Sequence, residues 1–169
     1  MKLESPAFAS GEPIPIEYSV DGPGHSPPLQ ISDAPTGTQS LALVVEDPDI
    51  PRSRRPSGIF DHWTVWNLPA DLVELPTGAQ PPGRVGLTSY GTHEYVPPAP
   101  PPGSGEHRYY FHLYALDTLL DLPDDTTKAD LFAAMTGHVL AVSSLMGRYA
   151  RPPSQSPSVK DPRSARSIP

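Results

Sequence analysis

The stretch Leu41-Ala42-Leu43-Val44-Val45, followed by Glu46-Asp47-Pro48-Asp49-Ile50-Pro51, decides how this chain is read. Five consecutive apolar residues bounded by a turn signal fit a central strand covered on both faces. The Glu-Asp-Pro step ends that strand, so Asp47 stands at its tip. Each following proline restrains the residue before it to extended conformations, which holds Asp47 and Asp49 at a rigid loop entrance. A plain Asp-Pro turn accounts for the same residues without any ligand.

Working outward, His62 to Leu68 (HWTVWNL) alternates with β-favouring types. Tyr109 to Asp117 (YYFHLYALD) is the longest such run and reads as a second central strand. Ile14 to Tyr18 alternates as well, and Pro13 and Pro15 mark it as an edge strand. Asp21 to Ile31 is turn-rich, and Asp71 to Tyr95 supports no assignment. One helix is expected over about Lys128 to Tyr149. Thr127 and Asp130 can form a capping box, although Asp is the shorter partner. Leu131, Met135, Val139, Val142, Met146 and Tyr149 fall on one helical face, with a kink or a break expected at Gly137. The fold class is therefore mainly β, mostly antiparallel, with one helical C-terminal element.

The 25 prolines among 169 residues are about three times the usual share of ~5% and place loops and strand edges throughout. Net charge is −7, which disfavours nucleic acid and anionic membranes as general partners. After Arg151, Lys160, Arg163 and Arg166 against Asp161 contribute +2, leaving −9 on the rest. Any anionic ligand must then be held by local donors. Cysteine is absent, so no disulfide framework or thiolate metal site forms. The N-terminus lacks an apolar signal core, and no run approaches the ~18 residues of a membrane span. A cytoplasmic location is expected, with residues 1–151 forming one domain and 152–169 a disordered polar tail.

Residues able to handle an anion lie in three separate segments. They are Asp47 with Asp49, His62 beside Trp63, and Pro100 to Tyr109 (PPPGSGEHRY). Glycines at 103 and 105 would let backbone approach a ligand. Each residue has a plainer reading: a turn for Asp47, packing for His62, and a structural ion pair to an Asp for Arg108. The Arg52, Arg54 and Arg55 cluster reads foremost as a solvated loop. No GxSxG elbow, P-loop or GxGxxG is present, and no local HExxH pair, so catalysis, metal and cofactor are not expected.

Taken together, SPPLQI, GTQSLALVVEDPDIP, HW, PPPG…HRYYFHLYALD and the later AAMTGHVLA…GRY resemble the phosphatidylethanolamine-binding protein family, in particular its bacterial Raf-kinase-inhibitor-like branch. The resemblance runs from about Phe8 to Arg151. It implies a large sheet packed with a smaller one, and an anion pocket at one end of the large sheet. That pocket would be formed by Asp47, His62, Pro100, Pro101, His107 and Tyr109, with Asp49 and Pro51 shaping its rim. The implied ligand is phosphate or a phosphorylated head group such as phosphoethanolamine. Inhibition of a kinase or serine protease through a neighbouring surface is the alternative, and a homodimer is compatible with the resemblance. Two departures stand out. Pro97-Pro98-Ala99 replaces the family's Gly-Pro step, and Asp61 precedes His62, where a carboxylate turned inward would favour a protonated imidazole. The closing C-terminal helix of animal members has no counterpart in the polar tail.

Overall fold

A computed structural model describes residues 1–151. The expected disorder of 152–169 lies outside the described residues. Eight strands and one helix are formed: β1 (Lys2–Glu4), β2 (Leu29–Ser32), β3 (Ser40–Asp47), β4 (Phe60–Pro69), β5 (Glu74–Leu75), β6 (Arg84–Val85), β7 (His107–Leu116), α1 (Lys128–Met135) and β8 (Val139–Tyr149). The large sheet has the order β6-β4-β3-β7-β8 and the small one β1-β2-β5, with antiparallel pairing throughout.

β3 lies at the centre, and its uninterrupted apolar run has a direct cause. Leu41, Leu43 and Val45 pack toward the small sheet with Phe111, Leu113 and Ala115 of β7. Ala42 and Val44 face the opposite side, beneath α1, with Trp66, Leu116, Leu131 and Met135. β7 is one-sided in its alternation: His107, Tyr109, Phe111, Leu113 and Ala115 are buried, while Arg108, Tyr110, His112 and Tyr114 face outward.

The expected long helix is corrected to little more than a third of its length, the 8 residues Lys128–Met135. The capping box forms as read, with Thr127 Oγ1 accepting from the Asp130 N–H and Asp130 accepting from the Thr127 N–H. The helix then stops at Met135, and Gly137 takes a left-handed φ of +83° that turns the chain back. Val139–Tyr149 is a strand on β7, pairing from Leu116↔Val139 to His107↔Tyr149. The helical spacing of Val139 and Val142 was coincidental. Both are exposed, and the open backbone of β7 supplied the stronger partner.

Three smaller differences follow from proline and from strand length. Ile16–Tyr18 is a single 3₁₀ turn, because Pro13 and Pro15 cannot donate to a ladder; only a Pro13–Arg148 bridge remains. Leu29–Ser32 is a strand inside a segment read as turn. Short strands β5 and β6 occupy the unassigned stretch.

Candidate functional site

Asp47 ends β3 on the face shared with Leu43 and Val45, and it is 1% exposed. Its Oδ1 accepts from the Asp49 N–H at 2.8 Å, a local turn favoured by Pro48 between them. Its Oδ2 lies 2.7 Å from Nδ1 of His107, the first residue of β7 and equally buried. On the other side of that ring, Nε2 lies 2.9 Å from Ser104 Oγ. The Ser104 hydroxyl donates to the Pro101 carbonyl at 2.7 Å. Its single proton is thus committed away from His107, which distinguishes this chain of contacts from an acyl-transfer triad. Gly103 and Gly105 flank Ser104 with φ of +80° and +84°. No protein atom lies within 4 Å of where a Cβ would stand at either position, so the left-handed φ alone requires glycine there.

His62 reaches the same region through an irregularity. Val45 pairs with Trp63 and Glu46 with Asp61, so His62 is an extra residue in β4. A bulge of this kind re-aims side chains. His62 therefore packs on the inner face, edge-on to Tyr109 at 5.2 Å and against Phe60 at 4.7 Å. Asp61 goes to the outer face, where Lys128 Nζ lies 2.5 Å from Oδ1, and it does not point at the imidazole.

The His62 Nδ1 lies 2.7 Å from the Val96 carbonyl. A carbonyl only accepts, so Nδ1 carries the hydrogen and Nε2 presents a lone pair. Nε2 has no hydrogen-bond partner among the described residues. Burial pulls the His62 pKa below its ordinary value, outweighing the Val96 carbonyl and the carboxylates of Asp47 and Asp61. Among the described residues the Tyr109 hydroxyl has no partner at hydrogen-bond distance, although the Asp47 carboxylate lies close enough to act on it, and burial, aided by that charge, holds it protonated. Tyr109→Phe should therefore change unfolding free energy by less than ~0.5 kcal/mol. A loss above ~1.5 kcal/mol in denaturant titration would show that the hydroxyl is bonded.

Asp47 and His62 border a cavity of about 420 Å³. Its buried wall is Asp47, Phe60, His62 and Val96, and Arg54, Tyr90, Pro102 and Arg151 stand exposed at the mouth. Of the residues expected from sequence, Asp47, His62 and Pro101 line the cavity. His107 and Tyr109 stand behind its wall, where the one orients Asp47 and the other supports His62. Pro100 is buried outside the lining. Asp49 turns outward and grips Arg108 through Nη2 at 2.7 Å and Nε at 2.9 Å, so the structural reading of Arg108 holds. Pro51 heads the arginine turn, accepting from the Arg54 and Arg55 N–H groups.

Sequence reasoning missed several lining residues. Arg54, exposed on its loop as expected, and the half-buried Arg55 also line the cavity. Arg55 is anchored to the Ser89 carbonyl at 2.9 Å and lies over the Phe60 ring. Arg151 arrives from beyond β8, paired with Asp21 at 3.0 Å. Phe60 is brought there by facing Asp47 across the β3–β4 ladder. Tyr90 and Val96 carried no readable signal in the sequence.

With this geometry in hand, comparison with known proteins is direct. A family model described as phosphatidylethanolamine-binding protein matches residues 4–150. The chain belongs to that family. A UPF0098 protein of Chlamydia muridarum is 48% identical over 149 residues, covering 88% of this chain and 98% of that protein. The crystal structure of a phosphatidylethanolamine-binding protein homologue from Chlamydia trachomatis superposes with a TM-score of 0.87 at 46% identity, covering 89% of this chain and 97% of the other. Escherichia coli YbcL, described as a member of the mammalian family, gives 0.79 at 27% identity over 89% and 98% of the two chains. As a member of the phosphatidylethanolamine-binding protein family, this chain is a binding protein with the two-sheet architecture expected of it. Among the described residues no helix is long and apolar enough to cross a membrane.

Proposed function

We propose that this protein binds a small anion, phosphate or a phosphorylated head group such as phosphoethanolamine, in the cavity between Asp47, His62 and the arginine loop, and that it does so without catalysing a reaction. The observation that carries the reading is the placing of Arg54, Arg55 and Arg151 around one cavity of a chain whose net charge is −7. A cavity with a cationic mouth on an acidic protein concentrates anions where the wider field repels them. Charge-assisted hydrogen bonds contribute roughly 1.5–3 kcal/mol each. Two or three of them, less the cost of ordering ligand and side chains, correspond to micromolar to millimolar affinity.

Isothermal titration with inorganic phosphate and with phosphoethanolamine tests the reading. Arg54→Ser removes a mouth charge that no strand or core contact requires. It should weaken phosphate binding about three- to tenfold at low salt, with the gap closing as salt rises. Equal affinity of Arg54→Ser and the parent at low salt would place the anion elsewhere.

A further inference from the structure

The cavity has two unlike ends. At the mouth are guanidinium groups, which only donate. The buried wall includes the carboxylate of Asp47 and the imidazole of His62, whose Nε2 lone pair is itself buried and has no partner among the described residues, and both groups accept. The tautomer of His62 is fixed by geometry, because the Val96 carbonyl 2.7 Å from Nδ1 can do nothing but accept. A fully ionised oxyanion would meet two acceptors at this wall and gain no bond there.

Resting on the anion-pocket reading, we propose that the inner wall selects ligands that bring their own donor hydrogen, typically a P–OH, and rejects oxyanions that have none. The P–OH donates to His62 Nε2 while the remaining phosphoryl oxygens face the arginines. Protonating His62 would offer an escape, but its surroundings resist it. Phe60 and Tyr109 enclose the ring. The carboxylate of Asp61 is turned away to Lys128. The charged or titratable groups on the elements packed against His62 are Asp47 on β3, His107 and Tyr109 on β7, and Arg54, Arg55, Tyr90 and Arg151 at the mouth. Asp47 is the only anion among these, and it already accepts from His107 and from the Asp49 N–H. The Nε2 atom is thus a buried acceptor awaiting a donor, and leaving it unpaired carries a standing free-energy cost.

The donor count of simple phosphorus compounds makes this measurable on the unaltered protein. Isothermal titration is run with four probes at about pH 5.5 and pH 8. Inorganic phosphate keeps a P–OH at both values and should bind at both. Methyl phosphate keeps one only below its second ionisation near pH ~6, so its affinity should fall at least about tenfold between them. Dimethyl phosphate and sulfate carry none, and at pH 8 should bind at least about tenfold more weakly than inorganic phosphate. A fifth probe, glycerophosphoethanolamine, is a diester whose only strong donor is an ammonium group. If it binds where dimethyl phosphate does not, the donor is supplied by an amino head group, and the acceptor wall stands. Sulfate or dimethyl phosphate matching inorganic phosphate within about twofold at pH 8 overturns the selectivity and leaves anion binding intact. Failure of all probes to bind overturns the anion pocket itself, and this inference with it.

Discussion

His107→Ala should lower the free energy of unfolding by about 3–5 kcal/mol. By the family resemblance His107 reads as one of the residues that form the anion pocket. In the fold it is an internal residue, paired with Asp47 at 2.7 Å, with both side chains almost wholly removed from solvent. Removing the imidazole leaves Asp47 buried with only the Asp49 N–H as a donor, and creates a void between β3 and β7. Chemical denaturation followed by tryptophan fluorescence measures the effect. The double variant His107→Ala with Asp47→Ala removes both polar groups and should be less damaging than the sum of the single changes, by about 1–3 kcal/mol. A His107→Ala protein as stable as the parent, within about 1 kcal/mol, would show that the pair does not hold the site together.

Acid should weaken the opposite face of the large sheet. Glu46 on β3 and Asp61 on β4 share Lys128 Nζ at 2.6 and 2.5 Å, tying the first turn of α1 to the sheet. The His112 imidazole, with Nε2 at 3.7 Å, first, then Lys128, carries the Glu46 pKa from 4.5 down to about 2, against the opposing effect of burial. For Lys128, burial acts against the charge, but Asp61 and Glu46 outweigh it and raise the pKa. A carboxyl group whose folded pKa is depressed contributes its stability fully above the unfolded value. That contribution is lost as pH falls through the folded one. The window here is therefore from about 4.5 down to about 2. At ~1.36 kcal/mol per unit the full shift would be about 3 kcal/mol, and partial exposure of the group reduces it to roughly 1–2 kcal/mol. Lys128→Met keeps the apolar stem and removes the charge, so it should cost about 2–3 kcal/mol at neutral pH and flatten the loss on acidification. Thermal unfolding of parent and variant between about pH 7 and pH 3 gives the answer, and superimposable profiles would exclude the network as a support of the helix.

Much of the fold was legible because its two central strands carry one-dimensional signals. Leu41–Val45 is apolar on both faces because both faces are covered, and Tyr109–Leu116 alternates because only one is. The capping residues Thr127 and Asp130 were readable for the same reason: their contacts are local. Val139–Tyr149 was misread because its spacing satisfied a helical period, while its true partner, β7, is remote in sequence. Short strands β1, β2 and β5 carry too few residues for any period to show.

Part of the pocket (Asp47, His62 and Pro101), the two central strands and membership of the family were all determined by the sequence by itself, since each depends on neighbours or on motifs along the chain. The roles within the pocket were decided only by tertiary structure. One added residue in β4 turned His62 inward and sent Asp61 out to Lys128. The Val96 carbonyl, 34 residues away, chose the tautomer of that imidazole. Arg151 came to the mouth from the far end of the domain. Side-chain direction, protonation and convergence are set by contacts between distant segments, and those contacts exist only once the sheet has closed around them.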